Sequence, residues 1–275
     1  MMKYWFGADS PHIRFLCVIF LVAALNIFLR LNFLPLTISQ DSESYIGTAQ
    51  LLSGEEVRAY PGRLLKPLLP LGIALLAPFF DGDMVAGFLA LNILCYFLLA
   101  LTMYALLTLF SADRFLVMLG TLMFISAYPV LEYGLNLYSE MGSWLLFVLA
   151  IFGSVRYYRV ASWRNFSIAF AAIALGLLWK EYSVIAGIFF GLVLLFESTH
   201  TWREKFLRIA LFVVSSAILV GIVAWVVYAG YHYTYVDWLR DAASVDPAQS
   251  QYTFYFIAKS LAGVFLLGWG LVFFG

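Results

Sequence analysis

The stretch LLKPLLPLGIALLAPFF, residues 64–80, decides how the rest of this chain is read. It is apolar enough to pass for a membrane span, yet it is short and is broken by Pro67, Pro70, Gly72 and Pro78. A crossing helix needs about 20 predominantly apolar residues for a hydrocarbon core of about 30 Å, and each proline removes a backbone donor and disturbs the helix. Working outward, further apolar segments stand at about 13–36, 84–110, 115–131, 140–155, 166–179, 183–196, 207–229 and 253–274. If every segment crossed, parity would place RYYRVASWRN, with Arg156, Arg159 and Arg164, on the outer side, against the bias that keeps basic loops inside. With 64–80 laid along the surface or re-entering on its own side, parity holds throughout. The expected architecture is an all-α polytopic transmembrane helical bundle of about eight spans, both termini inside, with one juxtamembrane or re-entrant helix after the first outer loop.

Composition leads to the same class. The 275 residues are 64% hydrophobic, 19% aromatic and 12% charged, more apolar surface than a soluble domain of this size could hide. Cys17 and Cys95 lie in apolar runs, which suits small buried hydrophobes rather than a disulfide framework or a metal site. The N-terminal segment carries Lys3 and Arg14 but continues past Asn26 and Arg30 without a small-x-small cleavage pattern, so it reads as a retained first span. Net charge is zero, yet the map polarises it. The inner side receives nine basic residues (Lys3, Arg14, Arg114, Arg156, Arg159, Arg164, Arg203, Lys205 and Arg208) and four acids (Asp9, Asp113, Glu197 and Glu204). Seven of the 16 basic and twelve of the 16 acidic residues are left for the outer side.

The outer loops, 37–63, 132–140, around 180–182 and 230–252, are where ionisable residues gather. The first brings Asp41, Glu43, Glu55, Glu56, Arg58 and Arg63, with Lys66 just beyond; the second brings Glu132 and Glu140; the third is only Lys180, Glu181 and Tyr182. Carboxylates and cations meeting where water meets hydrocarbon suit a substrate with a charged head and a lipid tail.

The order of these features resembles the GT-C superfamily of integral membrane glycosyltransferases, which includes protein O-mannosyltransferases and the aminoarabinose transferases that modify lipid A. The resemblance rests on DSESYIGTAQLLSG, an acid and a tyrosine opening an amphipathic helix after the first span; on RLLKPLLPL, a Lys-Pro-Leu element opening a second juxtamembrane helix; and on AYPVLEYGLNLYSEMGSWLLF, where a proline and an acid-bearing outer loop precede the next span. It covers roughly residues 10–200. It implies a polyprenyl-phosphate-sugar donor, a lipid, glycan or protein acceptor, membrane lipids as surroundings and no nucleic acid. Asp41 resembles the base that takes the acceptor's hydroxyl proton, worth about 10²–10⁴-fold in rate. Glu43 assists or substitutes, and Glu140 orients the acceptor or a divalent metal, which the reading leaves open without requiring. Arg58, Arg63, Lys66 and Lys180, with Glu181 beside them, form the substrate-binding set, the cations stabilising the departing phosphate. The site would face the non-cytoplasmic side of a bacterial inner membrane or its equivalent. The chain, residues 1–275, reads as one module; it is short for the superfamily and ends within the apolar run GWGLVFFG, as a minimal module or a cut protein would.

Each residue also has a plainer reading. Asp41 or Ser42 could cap a helix Glu43–Leu52 with Tyr45, Ile46, Ala49 and Leu52 on one face. Arg30, Arg63 and Lys66 could snorkel to headgroups, Lys180 and Glu181 could solvate a tight turn, and the aromatics of YHYTYVDWLRD could form an interfacial belt holding His232, which has no partner at zinc spacing. Two other classes compete with the enzyme. A transporter or lipid flippase would place ionisable groups or broken helices at the midplane, and a scaffold would leave the outer acids without shared geometry.

Overall fold

The computed structural model describes residues 11–243, and every regular element among them is helical. The chain divides into two units, residues 1–231 and 232–275. Helix α1, Pro11–Phe33, begins with proline, whose missing N–H is unneeded in a first turn. Helix α2, Gln40–Leu52, starts earlier than the sequence reading placed it. Ser39 is its N-cap: the Ser42 N–H donates to Ser39 Oγ at 3.2 Å and the Ser39 N–H donates to Ser42 Oγ at 3.1 Å. This reciprocal box satisfies the orphan donors of the first turn, so neither Asp41 nor Ser42 is the cap. The buried face is also turned, running through Ser42, Ser44, Tyr45, Thr48 and Ala49 and leaving Leu52 exposed.

Residues 64–80 form a short turn, α3 (Pro61–Leu64), then helix α4 (Leu68–Leu76) continuing as a 3₁₀ turn (Ala77–Phe80). Asp81 and Gly82, at φ 53° and 84°, reverse the chain into α5 (Met84–Leu107), whose cap is Asp83. Helix α4 runs antiparallel to the first half of α5 at very close range. A Cβ built on Gly87 would stand 2.9 Å from Ala77 N and 3.0 Å from Ile73 O, and one on Gly72 would stand 2.7 Å from Leu91. The segment therefore begins beside α5 and ends at its start, staying at one end of the bundle, upright against α5.

Beyond α5 come α6 (Arg114–Ile125), α7 (Glu140–Arg159), α8 (Trp163–Trp179), α9 (Ser183–Phe196) and α10 (Trp202–Tyr231). The apolar run 115–131 is not one helix: α6 stops at Ile125, and after Pro129 a π-helical turn spans Val130–Gly134. Four helices, α1, α5, α7 and α10, are long and apolar enough to cross a membrane; α6, α8, α9 and the α4 arm are shorter. Leu21, Leu25 and Phe28 on α1, and Leu207, Leu211, Ile218, Ile222 and Trp225 on α10, are exposed. So much open apolar surface is compatible with an integral membrane protein. The run expected at 253–274 lies outside the described residues.

At one end of this bundle His12 Nδ1 meets the Tyr104 hydroxyl at 3.1 Å, Arg159 lies over the Phe110 ring, and Arg208 donates to the Tyr157 hydroxyl at 2.9 Å. The opposite end holds the start of α5, the start of α7, the end of α8 and the α4 arm. In the second unit, Thr234 opens α11 (Tyr235–Ala243), its hydroxyl donating to Asp237 at 2.6 Å, while the Tyr233 hydroxyl donates to Asp241 at 2.7 Å.

Gly87→Val should force α4 away from α5, because backbone atoms cannot step aside as a flexible side chain can. The expected loss is about 1–3 kcal/mol, read as a lower thermal midpoint in detergent. Gly191→Ala, with nothing within 4 Å of the added carbon, is the control that should leave the midpoint in place.

Candidate functional site

Irregular backbone within a bundle must find partners for its polar groups, and a buried asparagine supplies them. Asn92, on the third turn of α5, donates to Asn136 O at 2.6 Å and Tyr138 O at 3.1 Å. Asn136 Oδ1 accepts from the Thr37 and Leu137 N–H groups, each at 2.9 Å. The Ser42 hydroxyl donates to Leu137 O at 2.6 Å. These bonds bring the first turn of α2 and the 135–139 loop to one place, and with them Asp41 and Glu140.

On α2, residues i, i+3 and i+4 share a face, so Asp41, Ser44 and Tyr45 present together. Arg63 spans all three: Nη2 pairs with Asp41 Oδ1, Nε donates to Ser44 Oγ at 2.8 Å, and Nη1 donates to the Tyr45 hydroxyl at 3.0 Å. Its guanidinium also lies 4.3 Å from the centre of the Tyr45 ring. Each nitrogen of Arg63 thus donates to α2, three of its five N–H groups in all, while the Asp41 side chain stays 71% exposed with one oxygen outside the pair.

Lys66 is buried at 4%, so it does not snorkel to the interface; its ammonium pairs with Glu181 Oε2 at 2.5 Å. Lys180 pairs with Glu140 Oε1 at 2.5 Å. The remaining oxygen of Glu140, Oε2, is buried and makes no hydrogen bond. Trp179 Nε1 donates to Ser139 O at 2.9 Å, and the Tyr182 hydroxyl bonds Ser143, so both flanks of the Lys180–Glu181 turn are tied to α7. That approach needs Gly142, where a Cβ would stand 2.0 Å from the Trp179 ring.

The three ion pairs feel one another. Burial lowers the pKa of Lys66, pairing with Glu181 opposes this, and the nearby Arg63 and Lys180 lower it further. Burial alone would raise the Glu181 carboxyl, but the bond from Lys66 and the charges of Lys66 and Lys180 bring it below its ordinary 4.5. Burial pushes the Tyr182 phenol up, and Glu140, Glu181 and Tyr45 reinforce the shift against the opposing bond from Ser143. Asp41–Arg63, Lys66–Glu181 and Lys180–Glu140 therefore form three neighbouring ion pairs with no net charge, the cations Arg63 and Lys66 repelling each other where the first two pairs meet.

Two predicted residues stand apart. Glu43, two positions from Asp41, is about 200° round the helix; it is exposed, and no hydrogen bond or ion pair engages its carboxylate. Arg58 is exposed over the Tyr60 ring at 5.8 Å. The sequence reading missed Ser44, Tyr45, Asn92 and Asn136; the first two were legible as the i+3 and i+4 neighbours of Asp41, the asparagines were not. Arg30, expected to snorkel, is instead buried and donates to Leu34 O at 2.9 Å. Among the described residues no group of three or more His, Cys, Asp or Glu is placed to hold a metal ion.

Because the folded Glu181 titrates below its unfolded value, its contribution to stability is present above pH 4.5 and is lost as the pH falls through the lowered value. Lys66→Met removes the cause of that shift. The difference in thermal midpoint between wild type and Lys66→Met, followed in detergent, should fall as the pH drops from about 5 to about 3. A constant difference would mean that Lys66 does not set the acidity of Glu181. Comparison with family models, with curated proteins and with solved structures finds no match for this chain.

Proposed function

We propose that this chain is a membrane glycosyltransferase of the GT-C kind, moving a sugar from a polyprenyl-phosphate donor to an acceptor hydroxyl at the outer membrane face. One observation carries the reading: Asp41, Arg63, Lys66, Glu140, Lys180 and Glu181 come from separate segments of the chain to a single end of a helix bundle with apolar flanks. Neither a helix cap nor a row of snorkelling anchors calls for that convergence.

The acceptor oxygen attacks the anomeric carbon, the bond from that carbon to the phosphate oxygen breaks, the hydroxyl proton passes to Asp41, and polyprenyl phosphate leaves. Asp41 suits the base because one of its oxygens is outside the pair with Arg63 and its side chain opens to water. Arg63 holds Asp41, with each of its nitrogens donating to α2. The departing phosphate falls to Lys66 and Lys180, drawn from Glu181 and Glu140 by the charge that accumulates on it. Leu71, Leu75 and Phe79, exposed at four-residue spacing on the α4 arm, offer the lipid chain an apolar path beside Lys66.

The topology that goes with this reading has eight spans, both termini inside, and the network outside. In a background lacking Cys17 and Cys95, single cysteines near Asp83 and Glu140 should react with an impermeant thiol reagent from outside, and one near Arg159 only after permeabilisation. Reaction of Asp83 only after permeabilisation would make 64–80 a crossing.

Asp41→Asn keeps an acceptor for Arg63 and, with the cap at Ser39, leaves the helix start intact. Release of polyprenyl phosphate from a panel of polyprenyl-phosphate sugars, assayed in proteoliposomes with candidate acceptors, should fall at least about 10²-fold, with thermal stability near wild type. Glu43→Gln should cost far less. Full release by Asp41→Asn would end its assignment as base.

A further inference from the structure

A second feature of the same end of the bundle is not absorbed by the charge network. Arg30 lies in the last turn of α1, one turn beyond Asn26, and only 2% of it is exposed. A guanidinium has five N–H donors in a planar fork. Here Nη1 donates to Leu34 O at 2.9 Å and Pro35 O at 3.2 Å, and Nη2 donates to Pro35 O at 3.2 Å. The other edge is incomplete. Nε is buried and makes no hydrogen bond, and Glu132 Oε2 forms an ion pair with Nη2 at 3.7 Å, beyond hydrogen-bonding range.

Arg30 also lines a cavity of about 290 Å³, together with Asn26, Leu29, Phe33, Leu34 and Leu131. Its volume lies at the lower edge of the roughly 300–1,000 Å³ typical of ligand pockets, room for a headgroup and the start of a chain rather than a whole lipid. Apart from Asn26 and Arg30 the lining side chains are apolar, and Leu29, Phe33 and Leu34 are 43%, 73% and 47% exposed. On a hydrophobic helix those residues face hydrocarbon, so the cavity opens sideways.

We propose that this cavity binds the phosphate group of an anionic membrane lipid, with two phosphate oxygens on the Nε and Nη2 edge of Arg30 and the first part of the chain against Leu29, Phe33 and Leu131. A buried cation with an unfilled donor edge favours an anion, and the Nε/Nη2 edge matches two oxygens of one phosphate. The apolar walls decide between sources of that phosphate. A free ion would lose its water against Leu29 and Leu131 with nothing in return, whereas a lipid arrives with a chain that covers them. Glu132, whose side chain is 26% exposed, has room to turn to water as the phosphate takes its place. The site stands whether or not the transferase reading does, because it uses no residue of the network.

The test is photo-crosslinking of the whole protein in phosphatidylcholine nanodiscs doped with a photoreactive phosphatidic acid, followed by peptide mapping. Label should appear in the segments around residues 29–34 and 131. It should fall at least about tenfold in Arg30→Gln, the loss expected for a charge-assisted pair. Leu131→Trp, which fills the cavity and spares the arginine, should lower it similarly and keeps the test open if Arg30→Gln does not fold. Lys66→Ala should leave this label unchanged, which separates the site from the proposed donor site. Equal labelling by a photoreactive phosphatidylcholine, displacement of the label by millimolar inorganic phosphate, or full labelling of Leu131→Trp would each overturn the assignment.

Discussion

The site depends on how a stretch of irregular backbone is satisfied inside a helix bundle. Residues 135–139 leave helical geometry beside α5, and their carbonyl groups need donors that lipid cannot provide. Asn92 gives both protons of its amide to that loop, and Ser42 gives its hydroxyl. Asn136 turns back to hold the chain at Thr37. Without these bonds the first turn of α2 would have no fixed relation to the start of α7, and Asp41 and Glu140 would be unrelated acids on separate loops.

Once those two segments are fixed, the charges follow. Arg63 joins the α3 turn to α2 through Asp41, Ser44 and Tyr45, and Lys66, three residues on, is carried under cover to Glu181. A buried ammonium needs a partner, and Lys66 finds it in Glu181 of the Lys180–Glu181 turn. Lys180 then adds the third ion pair, at Glu140.

The α4 arm and Arg30 show two uses of the same constraint. Gly72 and Gly87 let α4 stand against α5 at close range, so a proline-broken segment is still held in place. Arg30 meets the constraint from the other side: the carbonyls of Leu34 and Pro35 accept from its Nη1 and Nη2, its Nε makes no hydrogen bond, and it helps line a cavity.

By itself the sequence determined the class. Long apolar runs with few charges leave helices as the structure that satisfies their own backbone, and the prolines of 64–80 marked that segment as unlike the others. It also marked most of the charged residues that converge, because ionisable groups are rare in such a chain and their clustering at loop positions stands out. Only the tertiary structure decided which of them meet. Glu43 and Arg58 have the same composition signal as Asp41 and Arg63 but point elsewhere, one because two residues of helix turn it to the far side, the other because its loop leaves it over Tyr60 in solvent. The burial of Lys66 and Arg30 and the role of Asn92 depend on what another segment brings alongside. A single neutral asparagine within an apolar helix gives no sign of the loop it will hold, since its partners are backbone carbonyls that any residue could have supplied.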